Sequence, residues 1–149
     1  MSQASFRTLG INHIGIAPKD AARFKWFLHE VMNLPHQGEE NVAEQKTLTN
    51  MYACTNSVTI SAVSTRLETL EDSAGGSGPI GAFLAKKGGG VHHLAFQVDN
   101  IEAAIAHVKS CGVQMIDEIP RNGAHHCRIA FVHPSSIGGV LVELTQQMK

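Results

Sequence analysis

Histidine is the compositional outlier of this chain, with nine copies among 149 residues. Two of them, His13 and His93, stand in matching surroundings. His13 lies in Ile11-Asn12-His13-Ile14-Gly15-Ile16, and His93 lies eighty positions later in Val91-His92-His93-Leu94-Ala95-Phe96. Near the C-terminus Glu143 interrupts the otherwise apolar run from Val140 to Leu144. A buried carboxylate is costly unless it is paired or bound to a cation, and neutral imidazole is a common metal ligand. These residues therefore predict a site in which His13, His93 and Glu143 bind one divalent cation. Two histidines and a carboxylate suit Zn, Co, Ni, Mn or Fe(II), and ligand type does not choose among them. A single strand histidine is more often a hydrogen-bonded core or surface residue. His13 and His93 differ because a repeat defined through other residues picks them out.

The elements that would position these side chains follow from that repeat. Each histidine segment reads as a strand, and each is followed, seven residues beyond its histidine, by a capping residue, Asp20 or Asn100. A one-sided helical pattern comes next. Phe24, Phe27, Leu28 and Val31 fall at i, i+3, i+4 and i+7, as do Ile101, Ala104, Ile105 and Val108. Asp99 followed by Glu102 resembles a capping box, and Gly112 sits where a helix stop favours a left-handed residue. Three extended pieces then follow in each half, read at 40–46, 48–53 and 57–63 and again at 114–119, 126–133 and 140–145. The order is βαβββ twice. The predicted fold is α+β, with two βαβββ modules related by a pseudo-twofold and forming a curved sheet around a metal. One domain is expected over 1–149, with module 1 at about 8–66, a connector at about 67–89 and module 2 at about 90–147. The connector is rich in Gly and Ser and holds one short helix, with Pro79 at its front, Ile80, Phe83 and Leu84 on one face, and Gly88 to Gly90 behind it. Matching Val58 to Ala62 with Val140 to Leu144 sets Ser61 opposite Glu143 as a fourth corner of the site.

Composition narrows the partners. Twelve Lys and Arg stand against thirteen Asp and Glu, a net charge of -1. Such a chain has no field to attract nucleic acid or an anionic membrane. A small-molecule partner is expected. No apolar run approaches the ~20 residues that would span a bilayer, and no basic-then-apolar leader opens the chain. Cys54, Cys111 and Cys127 are widely spaced and odd in number, which fits a reducing cytoplasm and argues against a disulfide framework or a cysteine zinc site. Among the remaining histidines, His92 alternates to the other face and reads as structural, while His29, His36 and His107 read as surface residues. Asp117 and Glu118, beside Ile119-Pro120, read as solvated turn charges.

The motifs resemble the vicinal-oxygen-chelate superfamily and, within it, the methylmalonyl-CoA epimerases. The residues that carry the likeness are His13 to Ala17, Gly78-Pro79-Ile80-Gly81-Ala82-Phe83-Leu84, Gly90 to Phe96, Ile116 to Arg121, Gly123-Ala124-His125, Ile129 to Pro134 and Gly138 to Leu144. The likeness covers nearly the whole chain, and its second half is specific to the epimerase branch. It implies a metal held by His13, His93 and Glu143, a homodimer, and an acyl-CoA substrate whose α-proton is removed beside a thioester, with Glu143 also a candidate proton carrier. Two positions depart from the family pattern. The fourth ligand aligns with Ser61, a poor donor, and the second base aligns near Thr49, which cannot take up a proton at neutral pH. On that alignment Glu44 and Gln45 fall too early for the base and Glu68 too late for the ligand. His126 stands where the family has Gly and adds an imidazole, read either as a pocket residue or as a strand-edge surface residue. Other activities remain open: a glyoxalase I-type lactoylglutathione lyase, an Fe(II) ring-cleaving dioxygenase using a 2-His-1-carboxylate set, and a non-catalytic binding protein of the same fold.

Overall fold

A computed structural model of the protein describes residues 5–55 and 64–149. By its contacts the chain divides into two units, one of residues 13–92 and the other of residues 1–12 with 93–149. Both boundaries fall inside continuous strands, immediately before His13 in β1 (Thr8–Ala17) and immediately before His93 in β5 (Gly90–Val98).

The first unit continues from β1 into α1 (Ala21–Trp26), a π-helical turn over Phe27–Val31, then β2 (His36–Val42), β3 (Thr47–Ala53) and β4 (Arg66–Asp72). Its strand order is β2-β3-β4-β1, antiparallel throughout except for the parallel pairing of β4 with β1. Asp20 starts α1 as its sequence position predicts: its backbone is extended and its side chain accepts the Arg23 N–H at 2.9 Å. The helix joins β4 through Lys25 Nζ and Glu71 Oε1, 2.6 Å apart, and this carboxylate holds the Lys25 ammonium above its ordinary value. Because side chains alternate along a strand, Glu71 and Thr69 face α1, and Glu68 and Leu70 face the other way. On that second face Leu70 packs with Ala17 and Ile80. Ile80 belongs to α2 (Pro79–Lys87), which opens on Pro79 and closes on Gly88 at φ 77, as the connector sequence predicts.

The second unit repeats the order with β5, α3 (Ile101–Ser110), β6 (Arg121–Asn122), β7 (Cys127–Val132) and β8 (Val142–Gln147). Strand order runs β5-β8-β7-β6, with β5 and β8 parallel. Here the core is apolar. Ile101, Ala104 and Ile105 of α3 pack on Val98, Met115, Ala130, Val132 and Leu144. Asn100 caps α3 by accepting the Ala103 N–H at 3.0 Å, and Gly112 ends the turn at φ 79. The capping-box reading of Asp99 is corrected, because its carboxylate accepts instead from the Arg7 N–H at 2.7 Å and from Arg7 Nε at 2.8 Å. Glu102 pairs with Arg128.

Two element placements depart from the sequence reading, and a third cannot be compared with it. The strand expected at 57–63 lies outside the described residues, and the strand that pairs with β1 is Arg66–Asp72, largely inside the segment assigned to the connector. In the second half the piece at 114–119 reduces to one bridge between Met115 and Val132, and Ile119 is exposed. Nor is Asp117 a solvated turn charge. Its carboxylate accepts the Phe131 N–H at 2.8 Å and Arg121 Nε at 3.0 Å, fastening the approach to β6 onto β7. Among the described residues no helix is long and apolar enough to cross a membrane.

Candidate metal site

In the first unit β1 and β4 run parallel with Gly15 opposite Glu68. His13, two residues before Gly15, shares its face. The result is a buried pair with His13 Nε2 3.2 Å from Glu68 Oε2, His13 6 % exposed and Glu68 5 %. In the second unit β5 and β8 run parallel with Ala95 opposite Glu143, and His93 stands two residues before Ala95. There His93 Nε2 lies 3.6 Å from Glu143 Oε2, and both side chains are buried. Each glutamate thus occupies the same place relative to its histidine. Each pair also lies on the face turned away from its unit's first helix, since Glu71 meets α1 on β4 and Leu144 meets α3 on β8.

Sequence reasoning singled out His13, His93 and Glu143 and set aside Glu68, which the structure pairs with His13. Ser61 lies outside the described residues. In the strand register Glu68 holds in β4 the position that Glu143 holds in β8. A local signal was present in Leu67-Glu68-Thr69-Leu70, where one Glu stands between leucines much as Glu143 stands between Val142 and Leu144, but the charges of Arg66, Glu71 and Asp72 around it hide it. The first half is a few residues longer between its histidine and its glutamate, and matching Val58 to Ala62 with Val140 to Leu144 conceals this.

In each unit the pair offers an imidazole nitrogen and a carboxylate oxygen, donors that fit a divalent metal by type. A carboxylate buried beside an imidazole is costly unless paired with a protonated ring or with a cation, so each pair is a place built for positive charge.

The surroundings differ between units. Phe131 is the cross-strand partner of Glu143 and stacks its ring edge-on to His93, with centroids 5.6 Å apart at 87°. Arg121 lies over the Phe131 ring at 5.6 Å, held by Asp117. On the first unit's face Thr49 is 2 % exposed and stands opposite Leu70 in β4 and Glu40 in β2. Its hydroxyl donates to the Glu40 carbonyl at 3.3 Å. His92 packs its ring edge against Phe83 at 4.9 Å, and burial pushes its imidazole down, with Glu68 partly opposing. His126 is exposed, at φ 55, in the turn before β7. About 16 Å of extended chain separates it from Phe131, at ~3.3 Å per residue.

Comparison with known proteins agrees with this architecture. Residues 12–131 match the model of the glyoxalase/bleomycin resistance protein/dioxygenase superfamily. An uncharacterised Bacillus subtilis protein, YqjC, is 36% identical over 136 residues, covering 91% of each chain. The mitochondrial methylmalonyl-CoA epimerase of Bos taurus is 35% identical over 137 residues, 91% of this chain and 73% of its own length. A solved methylmalonyl-CoA epimerase in complex with methylmalonyl-CoA and NH4+ superposes with a TM-score of 0.86 at 31% identity, covering 95% of this chain and 96% of that one. The chain accordingly belongs to the glyoxalase/bleomycin resistance protein/dioxygenase, or vicinal-oxygen-chelate, superfamily and stands close to its methylmalonyl-CoA epimerases.

Proposed function

We propose that the protein is a metal-dependent epimerase acting, as a homodimer, on the carbon between the thioester and carboxylate of methylmalonyl-CoA or a closely related acyl-CoA. The observation that carries this reading is the pair of buried His–Glu couples at matching positions in the two βαβββ units, His13 with Glu68 and His93 with Glu143. Under it, all four side chains serve one cation. A divalent cation bound by them supplies the positive charge that offsets negative charge developing on the thioester oxygen as the α-proton departs. The imidazoles donate nitrogen lone pairs, which requires that they be neutral. Glu143 acts as a ligand and as a proton carrier on one side of the substrate. Phe131 beside His93 keeps that side apolar, which favours transfer of a proton over its loss to water.

Adding Glu68 to the set bears on the competing reading as an Fe(II) dioxygenase. That chemistry is matched to two histidines and one carboxylate with open positions, whereas a second buried carboxylate occupies one more. Likeness to the epimerases supports the isomerase over the lyase.

The test is to incubate the metal-loaded protein with one epimer of methylmalonyl-CoA in deuterated water. Expected are deuterium at the α-carbon and loss of stereochemical purity. If the metal is bound and neither appears, the epimerase reading fails. Oxygen uptake by the Fe(II)-loaded protein would point to the dioxygenase instead.

A further inference from the structure

We infer that Arg121 is a substrate-binding residue of the second unit, and that its guanidinium receives the carboxylate of the substrate's acyl group. This rests on the epimerase reading. In the strand register Arg121 stands opposite Ile129 of β7, two residues before Phe131, and Phe131 stands opposite Glu143 of β8. Cross-strand partners and alternate residues of one strand share a face. Arg121, Phe131 and Glu143 therefore line one surface, with His93 against the Phe131 ring. All four belong to the same unit.

The guanidinium is fixed twice. It lies 5.6 Å over the Phe131 ring, within range of a cation–π contact, and its Nε donates to Asp117 Oδ1 at 3.0 Å. Asp117 is itself anchored, because its Oδ2 accepts the Phe131 N–H at 2.8 Å. One carboxylate thus ties the Arg121 side chain to the backbone of the residue whose ring it covers. Holding the group by Nε leaves the Nη1–Nη2 edge, a pair of parallel N–H donors in the fork that matches a carboxylate. The Arg121 side chain is 36% exposed, so a solute can reach that edge. The other arginine of these strands turns away, since Arg128 lies on the opposite face and pairs with Glu102 of α3.

Charge and reach select the ligand. The acyl group brings an anion to a wall that already holds the buried Glu143 carboxylate, and like charges gathered in a poorly solvated place need a cation beside them. Arg121 is one aromatic ring removed from His93. The acyl carboxylate is one bond from the carbon that Glu143 serves, whereas the phosphates of CoA lie at the far end of the pantetheine arm. The carboxylate is the anion within this reach. Arg121 also gives the site a means of discrimination, because an acyl-CoA without that carboxylate leaves the fork without its acceptor.

Calorimetric titration of the metal-loaded protein with methylmalonyl-CoA and with propionyl-CoA, which differs in lacking the carboxylate, reads the contact. Arg121→Gln is expected to weaken methylmalonyl-CoA binding about 10–100-fold, the size of a lost charge-assisted hydrogen bond. Propionyl-CoA affinity and metal stoichiometry should stay at their wild-type values. Arg121→Lys keeps the charge without the fork and should recover part of the loss. Equal weakening of both thioesters in Arg121→Gln would move the contact to the CoA phosphates or to the fold and overturns the carboxylate assignment, as does unchanged affinity for both. Deuterium exchange at the α-carbon tests the underlying reading separately. Exchange by the wild type with unchanged affinity in Arg121→Gln removes only the role of Arg121, and no exchange by the metal-loaded wild type overturns the epimerase reading with it.

Discussion

The two units use one topology to hold one kind of residue pair, yet they bury different chemistry around it. Beneath α3 the second unit packs eight buried apolar residues, including Val98, Ile101, Ile105 and Leu144. Among its described residues the first unit clusters Ala17, Leu70 and Ile80, buries Leu28, Met51 and Tyr52 elsewhere, and sets several polar groups in its interior. Thr47, Thr49, Asn50 and Thr69 are all buried there. His36 and Glu39 both bond to Asn50, and Lys25 bonds to Glu71. Helix α3 is a regular ten residues, whereas α1 lasts six before loosening into a π-helical turn. Apolar burial is non-directional, and hydrogen-bonded interiors specify geometry at smaller net gain. The second unit is thus expected to be the more stable half.

If the paired glutamates are equivalent ligands, removing either should be equally damaging. Glu68→Ala and Glu143→Ala should each lower metal affinity at least about 100-fold, exceeding the 10–100-fold typical of a supporting partner. Ser61→Ala should leave it unchanged. Calorimetric titration with Zn or Co on the metal-free protein measures all three. A large loss in Ser61→Ala with none in Glu68→Ala would return the fourth corner to Ser61 and break the equivalence.

The packing difference makes a smaller prediction. Ile105→Ala and Leu70→Ala both delete a buried branched side chain, for which about 2–5 kcal/mol is usual. Ile105 is enclosed by the larger cluster and should fall toward the top of that range. Leu70 borders the partly buried Phe83 and Leu84, which can relax into the space, so it should fall toward the bottom. Urea unfolding midpoints measure both. A larger loss in Leu70→Ala would reverse the assignment of the stable half.

The same contrast explains what was legible in the residues alone. The second half was readable because its periodicity is apolar: Ile101, Ala104 and Ile105 mark the buried face of α3, and Leu144 marks the face opposite Glu143. Both helix caps, Asp20 and Asn100, and the stops at Gly88 and Gly112 were readable because they depend on local chemistry. Strand β4 was not. Its residues, Arg66-Leu67-Glu68-Thr69-Leu70-Glu71-Asp72, have the polarity of a connector, and they form a strand because each charge finds a partner in the fold. Glu68 disappeared with it. Asp117 was misread for a related reason, since accepting a backbone N–H from fourteen residues away leaves no local pattern.

The smallest expected effect compares two carboxylates that staple their units. Asp72 accepts N–H groups from the turn leading into α2, foremost Gly76 at 2.6 Å, and these hold its carboxyl below the usual range. A Cβ at Gly78 would lie 2.5 Å from Asp72 Oδ1, so a side chain there would displace that carboxylate. Asp99 is lowered too, first by the Arg7 N–H and then by the Arg7 guanidinium. A carboxyl depressed by folding contributes stability that is present above its unfolded value, about 3.9, and lost as pH falls through the folded one. Asp72→Asn and Asp99→Asn should therefore each flatten the acid limb of stability below about pH 4, read as urea midpoint against pH. Salt separates them. The donors to Asp72 are neutral peptide groups, whereas Asp99 faces the charge of Arg7, whose side chain is 80% exposed. Raising salt from about 0.05 to about 0.5 M, which shortens the screening length from ~14 Å to ~4 Å, should erase more of the Asp99 effect than of the Asp72 effect. Equal salt sensitivity would mean that the guanidinium contributes little and that both units are stapled by backbone N–H groups alone.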